Sequence, residues 1–352
     1  LLSVWPNKNR LIELRLFSEE EMARMRISIF PKGEMDAILD GSLSLFTWIE
    51  QAADLPIDGV ELYSRFFLDK PDSFVDEVGE ALERAGLVMP MLCASPDLVN
   101  PDPAVRAKEL EQEARIIRIA HRLSGPGVSA RVLTGQNYPE VTREEGVQRV
   151  VAGIEELLPL ARELDVTLAL ENHYKDGFWH YVEFAQRREI FLEVIGAIDE
   201  RVHFGVQYDP SNAIVAGDDS ADFLDVVIDR VVTMQASDRS LAPGASLDDL
   251  RQADGTIGYS PALQHGVIGR GLNDYPRIFS TLATAGYDGW ISIEDGVNGW
   301  GEMRESVEFL REARDLYFGG STAVAVRTHD ELRVAAGLPP LAQTKIGRTV
   351  AP

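Results

Sequence analysis

The stretch Val147–Glu171, VQRVVAGIEELLPLARELDVTLALE, decides how the rest of the chain is read. Its first part places Val150, Ile154, Leu157 and Leu158 on one stripe, the spacing of a helix that covers a core. Its last six residues, VTLALE, are a short apolar run that reaches a carboxylate only at its end. A helix followed by such a run is half of a βαβ unit, in which a parallel strand is buried on both faces. The same alternation recurs in both directions along the chain.

Apolar runs also start near Arg26 (RISIF), Asp58 (DGVELY), Val88 (VMPMLC), Ser129 (SARVLT), His203 (HFGVQYD), Val231 (VVTMQA) and Trp290 (WISIED), which makes eight. Between them lie helical patterns such as LEQEARIIRIAHRL, with Leu110, Ala114, Ile117 and Leu123 on one stripe. Thr142 and Ser220 read as N-caps and Gly286 as a helix stop. The mean spacing of about 38 residues accommodates one strand, one helix and two loops per unit. The expected fold is therefore α/β, a single (β/α)8 TIM barrel with N- and C-terminal extensions. The expected division is an extension over residues 1–24, a barrel over 25–318 and a tail over 319–352 with a short helix near Asp330 to Ala336. One connection is unusually long, from Ala236 to Asp274, and is rich in Asp, Gly and Ser. Its part from about Ser240 to Leu272, with His265, is expected to cover a substrate, because βα loops lie on the catalytic face.

With 34 Lys and Arg against 57 Asp and Glu, the chain carries a formal charge of −23, and no basic cluster interrupts the acidity. Such a surface repels polyanions, so neither nucleic acid nor an anionic membrane is an expected partner. The one cysteine, Cys93, cannot form an internal disulfide, and no apolar run approaches a membrane span; a cytoplasmic protein is expected.

Polar residues at the carboxyl ends of barrel strands face the cleft. Here these are Glu61, Glu171, Asp209, Gln235 and Glu294, and the last four fall on consecutive strands. One carboxylate after a strand is readily a helix cap, but three carboxylates and an amide converging on one mouth form a hard oxygen site, suited to Mn2+ or Mg2+. His173, two residues past Glu171, can point into the same mouth as an acid–base group. His180 in GFWHY either contacts substrate or packs on Trp179, and His265 is read with equal weight as a substrate ligand or a loop hydrogen-bonding group. Asp238-Arg239 offers either a fork of donors at the mouth or a surface ion pair. His121, His203 and His329 are read as structural or solvated. Gly266, Gly269 and Gly271 form G-x-x-G-x-G without a preceding strand, so this is not a dinucleotide fingerprint.

The stretches LALENH, GVQYDPSN and GVIGRGLNDYPRIFSTLATAGYDGWISIEDG together resemble the xylose-isomerase-like barrel superfamily of sugar isomerases and epimerases, over roughly Arg26 to Tyr317. The resemblance implies one divalent metal held by Glu171, Asp209, Gln235 and Glu294, most simply Mn2+ with Mg2+ as the alternative, and a substrate-holding Arg239. Two departures stand out. The third ligand, commonly His, is Gln235, whose amide oxygen still suits a hard cation. The second carboxylate that some ketose 3-epimerases carry falls on Gly177, which leaves His173 as the base, with Lys175 and His180 as next candidates. The ENH motif, the amide ligand and the two extensions are also similar to the large subunit of the C-glycoside deglycosidases. That likeness implies a small β-rich partner subunit, an oligomer, and cleavage of the carbon–carbon bond of a 3-oxo-C-glucoside through an enolate. Phe178, Trp179 and Tyr181 then offer a wall for a flat aglycone. The alternatives are an isomerase or epimerase of an unphosphorylated ketose, and a non-catalytic sugar-binding barrel.

Overall fold

The computed structural model describes residues 25–246, 249 and 262–319. Each of the eight apolar runs supplies a barrel strand: β1 (Arg26–Ile29), a strand broken into β2 (Gly59–Val60) and β3 (Leu62–Tyr63), β4 (Met91–Cys93), β5 (Ser129–Val132), β6 (Thr167–Glu171), β7 (Phe204–Tyr208) and β8 (Val231–Ala236). The last, β11 (Trp290–Ile293), follows a hairpin of β9 (Arg239–Leu241) and β10 (Leu263–His265).

The break in the second strand closes the ring. The parallel sheet runs β2-β1-β11-β8-β7-β6-β5-β4-β3, so its two ends are the two halves of one segment joined through Glu61. Val60 pairs with Ile29 of β1, whereas Leu62 pairs with Leu92 of β4. The Glu61 N–H still donates to the Ile29 carbonyl at 2.9 Å, which pins this residue at the seam. The result is a nearly closed α/β barrel with helices outside, and its strand bodies, such as Leu168, Ala169 and Leu170, are fully buried.

Val150, Ile154, Leu157 and Leu158 all face the core from the helix Arg143–Leu164. That helix opens with a capping box, in which Thr142 Oγ1 accepts from the Glu145 N–H and Glu145 Oε2 accepts from the Thr142 N–H. Three local expectations are corrected. The cap of the helix Ser220–Val227 is Asp219, whose carboxylate accepts from the Asp222 N–H, so Ser220 is its first residue. On the helix Pro103–Ser124, of the expected stripe only Ile117 is fully buried; the core face is Glu113, Ile116, Ile117, Ile119 and Ala120, and Leu110, Ala114 and Leu123 flank it. The long connection after β8 is not all loop, because Arg239–Leu241 pairs antiparallel with Leu263–His265. Residues 247–248 and 250–261 of that connection, the amino segment 1–24 and the tail from 320, with His329 and its expected helix, lie outside the described residues. Among the described residues, no helix is long and apolar enough to cross a membrane.

One turn at the amino end of the barrel is held by a single carboxylate. Glu200 Oε1 accepts N–H groups from Val202 at 2.9 Å and His203 at 3.3 Å, while Oε2 accepts from Arg162 Nε at 2.8 Å. These donors, the Val202 N–H first, hold Glu200 down at about 2, below its ordinary 4.5. A depressed folded-state value means stability that is present above pH 4.5 and is lost as pH falls toward 2. Glu200→Gln is therefore expected to lower the melting temperature at pH 6 and to differ much less from the parent near pH 3; equal losses at both pH values would remove this linkage.

Candidate active site

Glu171 ends β6, Asp209 follows β7 and Glu294 follows β11. Their carboxylates, all buried, each bring an oxygen within 4.8 Å of the other two. Three carboxylates this close would repel one another without compensation. Arg131 Nη1 donates to Glu171 Oε2 at 2.8 Å and Lys32 Nζ donates to Glu294 Oε1 at 2.8 Å. Neutral donors fill in the rest: Asn212 Nδ2 on Glu171 Oε1 at 3.0 Å, and Ser237 Oγ on Asp209 Oδ1 at 2.7 Å. Asn172 then staples the two strand ends, donating Nδ2 to the Asp209 carbonyl at 2.7 Å and accepting the Asp209 N–H at 2.8 Å.

The balance differs between the three acids. Burial, then the charges of Glu294 and Glu171, push Asp209 up to about 8. Burial also raises Glu171, against the pull of His173 and Arg131. For Glu294 burial is outweighed by Lys32, which holds it down at about 2. A cation shared by all three would relieve the first two.

Two oxygens decide whether a metal fits. Asp209 Oδ2 and Gln235 Oε1 are buried and have no hydrogen-bond partner among the described residues. Gln235, on β8, donates its Nε2 to Glu61 Oε2 at 2.7 Å. Buried acceptors rarely stay unsatisfied, and carboxylate and amide oxygens are the donors a hard divalent cation takes. The residues present therefore fit Mn2+ or Mg2+, with Glu171, Asp209, Glu294 and Gln235 as the residues that would hold it.

His173 lies beside this cluster. Its Nδ1 is 3.2 Å from Glu183 Oε2, and Glu183 Oε1 is occupied by the Thr134 N–H at 2.7 Å and the Thr134 hydroxyl. A carboxylate only accepts, so Nδ1 carries the proton toward Glu183 and Nε2 is the nitrogen that Glu183 does not engage. Burial opposes charging of the ring, but Glu171 and Glu183 together raise its pKa above 6.5. The edge of Trp179 packs against it, ring centres 6.2 Å apart.

The segment that carries His173 is held by protein donors. Asp176 accepts from Ser95 Oγ at 2.7 Å, Tyr63 OH at 3.2 Å and the Phe178 N–H at 2.9 Å. Gln136 Oε1 takes the His180 and Tyr181 N–H groups. Thus the carboxylates this loop does contain, Asp176 and Glu183, are engaged within the protein, and Gly177 faces open space. His180 is exposed and packs on Tyr181, not on Trp179, while Lys175 is half-buried.

On the other side of the mouth Asp238 and Arg239 are buried, so the surface ion pair is excluded. Asp238 Oδ2 accepts N–H groups from Gly269 at 2.9 Å and Gly271 at 2.8 Å, so the glycine motif is a nest for an internal carboxylate. A Cβ at Gly271 would lie 2.2 Å from Asp238 Oδ1, which accounts for that glycine. His265 Nδ1 is 2.6 Å from Asp295 Oδ1, and the other oxygen of Asp295 takes the Asp238 N–H at 2.6 Å. Burial, then Arg239 and Lys32, lower His265 to about 3 and keep it neutral. Lys32, Arg131, Glu183 and Asp295 were not anticipated from sequence. Arg131 left a trace, as a charge inside the run SARV, and Asp295 adjoins Glu294; Lys32 and Glu183 left none.

A family model described as the xylose isomerase-like TIM barrel matches residues 49–313. The chain belongs to that family. Among solved structures, a D-tagatose 3-epimerase-like protein is 18% identical with a TM-score of 0.64, over 82% of this chain and 97% of that one. D-psicose 3-epimerase with D-tagatose, from Clostridium cellulolyticum H10, is 14% identical with a TM-score of 0.61, covering 82% and 99%. The 3-keto-D-glucoside 4-epimerase YcjR from E. coli is 16% identical with a TM-score of 0.56, covering 83% and 99%. At these identities the likeness is one of fold. No curated protein matches the chain at a significant level.

Proposed function

We propose that this chain is a divalent-metal-dependent isomerase or epimerase of an unphosphorylated keto-sugar, with Mn2+ as the working ion. The observation that carries the reading is the mouth itself: three buried carboxylates, two unsatisfied oxygens on Asp209 and Gln235, and a histidine oriented by Glu183 beside them. When bound, the ion supplies Lewis-acid polarisation of the sugar oxygens and stabilises the charge that builds when a neighbouring C–H is lost. His173 Nε2 takes that proton and returns it, while Glu183 keeps Nδ1 protonated and the ring in place. Arg239 and His265 hold substrate oxygens from the hairpin side, and Trp179 walls the sugar on the His173 side. Lys175 and His180 are the outer candidates for substrate contact.

The carbon–carbon lyase reading uses the same groups up to the loss of that proton and then expels an aglycone. An epimerase that acts on a 3-keto-glucoside, named among the structures of this fold, supports keto-glucosides as a substrate class. The test is a panel: Mn2+-loaded protein in D2O with free ketoses, a 3-keto-O-glucoside and a 3-oxo-C-glucoside, followed by NMR. Deuterium entering next to the carbonyl, with a new epimer or isomer, is the expected result. Free aglycone from the C-glucoside would establish the lyase, and binding with no exchange on any substrate would reduce the chain to a sugar-binding barrel.

A further inference from the structure

Gln235 offers the mouth an amide, and an amide has two ends of nearly the same size and opposite chemistry. Oε1 can meet a cation; Nε2 presents two hydrogens and repels it. Packing alone does not distinguish them, so something beneath must hold the nitrogen down. We propose that Glu61 is that positioning residue: it selects the Gln235 rotamer that aims Oε1 at the metal, an inference that rests on the metal reading above.

The placement supports this. Glu61 is fully buried at the seam where the barrel closes, and its backbone N–H is bound to the Ile29 carbonyl, which fixes the main chain from which its side chain reaches inward. Its Oε2 reaches across the barrel, 174 residues away in sequence, to accept Gln235 Nε2 at 2.7 Å. Cys93 Sγ stands 3.7 Å from the same oxygen and 3.6 Å from Nε2, a weak partner that leaves Glu61 as the strong acceptor there. Gln235 Oε1 is thereby left buried without a hydrogen-bond partner among the described residues, on a strand that pairs with the one leading into Asp209 through Tyr208–Met234. Turning the amide over would break the hydrogen bond from Nε2 to Glu61 Oε2.

Mn2+ titrations of the full-length apo protein, by calorimetry, test the assignment. Glu61→Met removes the acceptor and is expected to weaken Mn2+ binding by about 10- to 100-fold, the usual effect of losing a partner that orients a ligand. Glu61→Gln keeps an acceptor oxygen but adds a donor that can meet Gln235 Oε1, so its loss should fall between the parent and Glu61→Met. Gln235→Ala should lose affinity by itself, and adding Glu61→Met to it should cost nothing more. Glu61→Ala replaces the Met variant if thermal melting shows that Met is not accommodated. Unchanged affinity in Glu61→Met, equal losses in Glu61→Met and Glu61→Gln, or additive losses in the double variant would each overturn the proposal. A parent protein that takes up no divalent ion would overturn the metal reading itself, and the role of Glu61 with it.

Discussion

Glu294→Gln is expected to reduce Mn2+ affinity by more than about 100-fold, beyond what loss of a group outside the ligand set costs. The reason is twofold. Of the three acids, Glu294 is the one held most firmly ionised, because Lys32 lies 2.8 Å from its Oε1. The amide removes that charge while the Lys32 ammonium stays beside the site, so the cavity attracts a dication less. Calorimetric titration of the apo protein measures this directly. Unchanged affinity, in a variant that melts like the parent, would remove Glu294 from the ligand set.

The second large effect is on turnover with the metal retained. His173→Ala should cost about 10² to 10⁴ in kcat, the usual contribution of a positioned acid–base group. Mn2+ affinity should change little, since Glu171 keeps Arg131 and Asn212 as partners without the imidazole. Glu183→Gln is an internal control: its amide can still accept from one neighbour but no longer holds both Thr134 and His173 as a carboxylate does, so a smaller loss in the same direction is expected. Near-parental turnover in His173→Ala would reduce His173 to a support for Glu171 and assign the proton transfer elsewhere.

What could be read in advance followed from how local the signal was. Each barrel strand is a run of apolar residues between polar ones, so the eight runs and the residues at their carboxyl ends were visible without any knowledge of contacts. Glu171, Asp209 and Glu294 then converge because parallel strands in a closed barrel bring their carboxyl ends to one rim. The hairpin after β8 was not visible, since β9 and β10 are three residues each and their pairing spans a long interval. Nor was the true cap of the helix at Ser220, because Asp219 and Ser220 are both good capping residues side by side.

By itself the sequence determined the class of fold, the order of its units and which strand ends carry carboxylate or amide oxygens, all of which depend on neighbours within a few residues. The tertiary structure alone decided the electrostatics of the mouth. Lys32 meets Glu294 across 262 residues, Arg131 meets Glu171 across 40 and Glu61 meets Gln235 across 174. The first two bear on which carboxylate stays charged and the third on which end of the Gln235 amide meets Glu61, while Glu183, ten residues from His173, sets which ring nitrogen holds the proton. Such choices turn on separations of about 3 Å between buried groups in a low-dielectric interior, and ring closure creates those separations.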